Sequence, residues 1–586
     1  MKKISIVLLW LLLAKFSFAQ ELVKYEHLPE DLKPFIYAKQ SDVKWFKDAK
    51  FGVFMHWGPY SLAKVPASWG RFGDRPGAGK KAKNGVPKEE YDNLYKSFNP
   101  KEFDADKWIK MVKDAGAKYF IFTTKHHDGF CMFDAKNTDY KFTNTPFKRD
   151  IAKELADACH KYGVKLFWYY SQPDWHHPDC LTENNVKYRA YMFEHLKQLL
   201  SDYGKVDGLF FDGLGTKYYH WDTPKMLKMI RTLQPGIIVN RRWGAGMPGF
   251  PISGDYDNPE QEFGAFEVDR PWEMCCTISE AWSWTGGERF KTYRTNQRIL
   301  IRAVCSGGNL ALNTGPSPEG FINPPEEQIY SQIGDWMNKY GESIYHTKGG
   351  PYKPGAWGGA TCRGNTVYLH ILTDFGKNGS QEITLPTLPA KIKSASLLTG
   401  GEIELDNSKN VLSIRFKGVQ NKLDHIVKLE LDTNAEAINP IETVCSNSEI
   451  MNIRGIASSS VSLNKSPDAL FGKGKSVFAE GKKHKIWWSP ENKDKSPWLT
   501  AEFERAEDLD YLMLAEQIRN CSVRQFVIEY LTNGKWKTLY EGEQIGMDFS
   551  LKFSEIKTKS IRMKILKTNK GRVPSIGVFR VFRKQK

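Results

Sequence analysis

The stretch KYFIFTTKHHDGF, residues 118–130, decides the fold. Its first half, YFIF, is apolar on both alternating positions, as in a strand buried on two faces. It then breaks into a lysine, two histidines, an aspartate and a glycine. A buried strand that ends so abruptly in polar groups reads as a parallel strand opening into a pocket. The same form recurs along the chain in FGVFMHW (51–57), VKLFWYY (164–170), DGLFFD (207–212), GIIVN (236–240), CCTIS (275–279) and NLALNTG (309–315).

Helical patterns separate these runs. In FDADKWIKMVKDAGA, Trp108, Ile109, Val112 and Ala115 share a face, and Gly116 ends the helix. In DIAKELADACHKYG, Asp150 is the natural N-cap, Ile151, Leu155 and Cys159 recur at helical spacing, and Gly163 caps the end. Strands alternating with helices imply parallel βαβ units. Seven strands are visible and an eighth is expected near Pro251–Gly254. Eight close a TIM-like (β/α)8 barrel, assigned to residues 20–345, within an α/β fold class. Beyond it the texture changes to short strands punctuated by Gly, Asn and Pro. Residues 346–436 read as an all-β sandwich, and residues 441–586 as a second.

The N-terminus, MKKISIVLLWLLLAKFSFAQ, has a basic start at Lys2 and Lys3. Its apolar run, Ile4 to Ala14, is too short to span a bilayer, and small residues lie at Ser17 and Ala19. Residues 1–19 therefore read as a secretory signal peptide, and the protein is expected to be exported, periplasmic or extracellular. No cysteine follows the cut and no later run is long enough for an integral membrane segment. The chain of 586 residues carries a formal charge of +16, with twelve Lys and Arg against Glu555 alone in residues 551–586. Such a surface suits acidic glycans or the cell envelope, or serves solubility only. No nucleic-acid motif is present. The nine cysteines lack C-x-x-C spacing, and most read as buried thiols.

A TIM barrel holds its active site at the C-terminal ends of its strands. Here those ends carry His56-Trp57, His126-His127-Asp128, Tyr170-Ser171, Asp212-Gly213 and Arg241-Arg242-Trp243. Five polar or aromatic endings in order converge on one mouth. The histidines suit hydrogen bonding to a polyhydroxylated ligand. The alternatives are a metal pair or satisfied structural histidines, and adjacent metal ligands are awkward on a strand.

Taken together, FGVFMHWGPYS, AGAKYFIFTTKHHDGF, KRDIAKELADACHKYGVKLFWYYS, DGLFFDG, LQPGIIVNRRWG and SGGNLALNTGPSPEG resemble the α-L-fucosidases of glycoside hydrolase family 29. The resemblance implies a barrel followed by a β-sandwich, and a retaining exo-α-L-fucosidase that acts on fucosylated glycans without metal or organic cofactor. It makes Asp212 the nucleophile. It gives His56, His126 and His127 to the fucose hydroxyls, sets Arg242 near the catalytic carboxylates, and brings Trp57 and Tyr170 to the pocket wall. The acid/base falls in ISGDYDNPEQEFGAFEVDRPWEMCCTISEAWSW, which offers Glu260, Glu262, Glu267, Glu273 and Glu280. A D-x-x-T-P-E-like segment aligns Glu260 with that role, with Asn258 in place of the usual Thr and Glu262 an alternative. The chain departs from the family at Phe210, usually Trp, at Arg241, usually Asp, and in ASWGRFGDRPG, where Trp69 is the candidate for sugar contact. The tail resembles discoidin-type (F5/8C) modules, for which glycan binding and a stabilising role are both open. Two other readings remain: a retired glycosidase scaffold that only binds sugar, and a family member acting on a related sugar such as an α-L-galactoside.

Overall fold

The computed structural model describes residues 29–584 except 79–84, 245–253, 264, 377–380, 409–410, 419–422, 444–447, 460–466, 468–469, 471–486 and 518–519. The expected signal peptide thus lies outside the described residues. The chain divides into two compact units. One comprises the residues up to Asn258 together with Ala281–Glu288 and Leu312–Tyr330; the other comprises Pro259–Glu280, Arg289–Ala311 and the residues from Ser331 onward.

In the first unit, β1 (Phe51–Met55), β2 (Tyr119–Lys125), β3 (Lys165–Tyr170), β4 (Gly208–Phe211) and β5 (Ile238–Val239) pair in parallel in the order 5-4-3-2-1. Every residue of β1, β2 and β4 is buried, as expected of strands covered on both faces. The intervening helices follow their sequence signals. Helix α1 (Ala105–Asp114) is capped by Asp104, which accepts from Lys107 N–H. Helix α2 (Ile151–Tyr162) is capped by Asp150, which accepts from Lys153 N–H, and ends at Gly163 with φ +70°. Helix α3 spans Asn185–Ser201. The expected eighth strand falls mostly on 251–253, outside the described residues; just beyond, Tyr256 makes an isolated parallel bridge to Asn240. On the other side of β1, Thr314 O accepts from His56 N–H. Inside this sheet Phe54, Tyr169 and Phe210 form an aromatic layer, with ring centroids 5.1–5.8 Å apart.

Strand β6 (Glu273–Thr277) belongs to the second unit and lies beside β7 (Asn309–Thr314), of which Asn309–Ala311 belong to that unit and Leu312–Thr314 to the first. The C-terminal region is all-β. Lys348–Gly349, Gly358–Arg363, Thr366–Ile371, His425–Leu431 and Ile392–Leu397 form one five-stranded sheet, and Glu382–Pro386, Val411–Lys417 and Glu402–Ser408 a three-stranded one. Their inward faces share a core that includes Leu369, Ile383, Leu412 and Leu429. Two long strands, Trp498–Glu516 and Phe549–Thr568, organise the last sheet around Leu512, Phe526, Leu551 and Ile561. All eight cysteines among the described residues are buried thiols, as their spacing suggested.

Candidate active site

KHHDGF is the turn that closes β2. Lys125 is its last residue, and its ammonium pairs with Asp174 at 3.1 Å, both side chains fully buried. Asp174 also accepts from the backbone N–H groups of His176 and His177. Gly129 has φ +82°, and a Cβ there would lie 2.3 Å from Asp174 Oδ1, so only glycine fits. Asp128 accepts from the Tyr91 hydroxyl at 2.7 Å and from Phe130 N–H, and burial pushes its carboxyl up to about 6. Because the strand has ended, strand alternation no longer separates the two histidines. Their ring centroids are 4.2 Å apart.

Asp212 follows the last residue of β4, on the same face as Phe210. The Tyr169 hydroxyl donates to its Oδ2 at 3.0 Å, and Arg242 Nη1 is 3.5 Å from Oδ1. Burial raises the carboxyl, but the Arg242 guanidinium and the Tyr169 hydroxyl outweigh it and hold Asp212 below the ordinary carboxylate value. Arg242 is itself fixed by a bond from Nη2 to Asn258 O at 3.1 Å and by the Phe210 ring, 5.6 Å below its guanidinium. Phe210 therefore supports the arginine as well as the aromatic layer.

The histidines have defined tautomers. Ser171 donates its one proton to Pro173 O, so at 2.6 Å it accepts from His127 Nδ1–H. Nε2 of the neutral ring is then a free lone pair, 3.6 Å from Asp212 Oδ2. Asn313 Nδ2 donates to Trp282 O, which turns Oδ1 toward His56 Nδ1 at 2.6 Å and makes His56 Nε2 an acceptor too. His126 Nδ1 is 2.6 Å from Ser68 Oγ, and its ring stacks on Tyr169 with an 8° interplanar angle. Burial lowers His56 and His127 to about 4 and holds His126 well below its ordinary value. Near neutral pH these rings are uncharged, and Nε2 of His56 and of His127 can each accept a hydrogen bond.

This burial has a measurable consequence. The unfolded chain takes up protons on these rings near their ordinary value of 6.5, whereas the folded chain refuses them down to about 4. Folding stability conferred by the neutral rings is therefore full above pH 6.5 and lost as pH falls toward about 4, on the order of 3 kcal/mol per ring. The melting temperature is expected to drop steeply across that window in wild type, and less steeply in His127→Gln. Equal slopes would refute the assignment.

Trp69 is 42% exposed, stands edge-on to His127 with centroids 5.9 Å apart, and shares the Arg75 guanidinium with Trp175. Two residues expected on the pocket wall lie elsewhere. Trp57 is fully buried among Phe98, Phe103, Trp108 and Phe142, with its indole N–H bonded to Ser317 O. It is a core residue, because it faces opposite to His56. Tyr170 points the other way from Asp212: its hydroxyl meets His195 Nδ1 at 3.0 Å, and Lys125 lies over its ring. The tyrosine at Asp212 is its neighbour, Tyr169.

Among the candidate acids, all in the second unit, Glu280 pairs with Arg289 and Arg572, and Glu267 accepts from the Asp269 and Arg270 N–H groups. Glu273 is fully buried in β6. Glu260 is half-buried and forms a parallel bridge with Cys275. Glu262 is half-buried as well.

The strand-end carboxylate, the neutral histidine acceptors and the barrel together define a glycoside hydrolase of the TIM-barrel class. Comparison with known proteins narrows this. The family described as alpha-L-fucosidase matches residues 26–342, and the F5/8 type C domain matches residues 456–577. Human plasma alpha-L-fucosidase is 30% identical over 327 residues, which span 52% of this chain and 69% of that one. The solved alpha-L-fucosidase isoenzyme 1 from Paenibacillus thiaminolyticus is 33% identical with a TM-score of 0.60, covering 67% of this chain and 99% of its own. The GH29 alpha-L-fucosidase from Bacteroides thetaiotaomicron, solved as a trapped covalent intermediate with 2-fluoro-fucosyl fluoride using a glutamate-to-glutamine mutant, is 28% identical. Its TM-score is 0.59, and the match covers 68% of this chain and 97% of that one. The chain belongs to the α-L-fucosidase family, GH29, and carries an F5/8 type C domain.

Proposed function

We propose that the protein is an exported, retaining exo-α-L-fucosidase that removes terminal α-L-fucosyl residues from glycans by double displacement. The observation that carries this reading is Asp212, a carboxylate kept ionised by Arg242 at a barrel strand end. Asp212 attacks the anomeric carbon while the Glu260 carboxyl protonates the departing oxygen. A β-linked fucosyl-enzyme results. Water, deprotonated by Glu260, then releases α-L-fucose. The covalent intermediate reported for the Bacteroides relative supports the same course here. His56 and His127 accept from sugar hydroxyls through Nε2, and His126 and Trp69 complete the sugar contacts. Export rests on residues 1–19 and predicts a mature chain that begins at Gln20. The C-terminal region serves as a glycan-binding module.

Proton NMR during hydrolysis of 4-nitrophenyl α-L-fucoside tests the mechanism. The α-anomer of fucose is expected first, with the β-anomer growing in by mutarotation. Initial release of the β-anomer would exclude double displacement, and faster turnover of the α-L-galactoside would move the substrate to that sugar.

A further inference from the structure

A cavity of about 530 Å3 lies in the C-terminal region, wholly within the second unit. Its size is in the range of small-molecule sites, with room for about two sugar rings. Part of its wall is apolar and aromatic: Trp357, Ile383, Tyr511, Met513 and Phe582, with Tyr511 edge-on to Phe582 at 5.5 Å.

The charges around the cavity point to the kind of occupant. Lys552 pairs with Asp510, Arg580 with Glu449, and Lys584 with Glu555. The two remaining charged lining residues are also paired, Arg583 with Glu507 and Glu382 with Arg415. Lined by four acids and four bases, the cavity has no net charge. An ionic ligand would have to break a pair on entry. An uncharged ligand with many hydroxyls would not: it can donate to the outer lone pairs of the carboxylates, accept from the ammonium and guanidinium groups, and lay an apolar face on the aromatic wall.

We propose that this cleft is a binding site for an uncharged oligosaccharide, which lays an apolar face on the aromatic wall. The inference rests on the glycan-binding reading of the C-terminal region and gives that reading a place and a ligand class. The test titrates the full-length protein calorimetrically with four uncharged disaccharides: lactose, N-acetyllactosamine, cellobiose and mannobiose. Sialylated N-acetyllactosamine is the charged control. At least one uncharged sugar is expected to bind, and the sialylated form to bind no better. Phe582→Ala removes part of the aromatic wall and is expected to weaken binding about tenfold. Thr384→Arg, at an exposed lining position, is expected to abolish it. Turnover of an aryl fucoside should be unchanged in both variants. Binding that neither variant alters would place the module's site elsewhere and overturn the cleft. Tighter binding of the sialylated form would overturn the ligand class, and no binding of any sugar would overturn both the cleft and the module reading.

Discussion

Asp212→Gly folds as wild type does and loses turnover of 4-nitrophenyl α-L-fucoside by at least roughly a thousandfold, the scale on which enzymes respond to loss of a covalent nucleophile. The fold survives because the residue lies past the end of β4 rather than in the core. What the substitution removes is the carboxylate proposed to form the glycosyl bond. It leaves a small space beside the Arg242 cation, bordered by the Tyr169 hydroxyl donor. Both favour a small anion, so added azide should restore turnover of a fucoside with a good leaving group. The product identifies the face of attack. Azide standing where the carboxylate stood reaches the anomeric carbon from the β side and gives β-L-fucosyl azide. Near wild-type activity without azide, or an α-azide product, would remove Asp212 from the nucleophile's role. Arg242→Met separates charge from position. Without the cation, burial raises the Asp212 carboxyl, and the acid limb of the kcat/KM profile should move to higher pH.

Most of the frame was legible because two signals agreed. Runs buried on both faces marked the strands, and Asp, Asn or Gly at their ends marked caps and turns. Asp150, Gly163 and Gly129 each do what their chemistry allows. Asp212 and Arg242 were legible as polar ends of apolar runs. Tyr169 was not, because two adjacent tyrosines end β3 and the sequence does not say which faces inward. Register decides it: Tyr169 pairs with Phe210, and Asp212 lies two residues beyond on the same face. The same alternation removes Trp57 from the wall, since it is one residue from the inward-facing His56. The histidine partners of Ser171 and Asn313 were not legible for a different reason. The two residues touch the site through histidines on other strands, and no local pattern announces a partner more than 40 residues away in sequence. Asn313 was nonetheless available as the polar end of NLALNTG.

Glu260→Ala is expected to separate substrates by their leaving group. The backbone explains why Glu260 and not Glu262 should show this. Cys275 N–H donates to Pro259 O, and Gln261 N–H donates to Cys275 O, so residues 259–261 are pinned to β6 on both sides of Glu260. Gln261 is buried and donates from Nε2 to Thr277 Oγ1, so its side chain occupies one face and Glu260 the other. At Gln261 φ is +53°, and the chain turns, so Glu262 lies beyond the pinned segment. General acid catalysis depends on a fixed donor, and Glu260 is the carboxyl that the backbone fixes. A fucoside with a poor leaving group, such as a methyl or disaccharide aglycone, needs protonation of the departing oxygen and should slow by roughly 100- to 10,000-fold in Glu260→Ala. The 4-nitrophenyl fucoside needs far less help in its first step. Its fucosyl-enzyme should instead accumulate, because the base that activates water is also gone, and a burst of nitrophenol should precede slow turnover. Azide needs no base, so it should restore turnover of the nitrophenyl substrate only. It attacks the β-linked intermediate from the opposite face, and its product here is α-L-fucosyl azide, the anomer opposite to that from Asp212→Gly. A pair of variants that gives opposite azide anomers assigns both carboxylates at once. If Glu260→Ala slows both substrates equally, or if Glu262→Ala gives the burst and the α-azide, the acid/base is not Glu260.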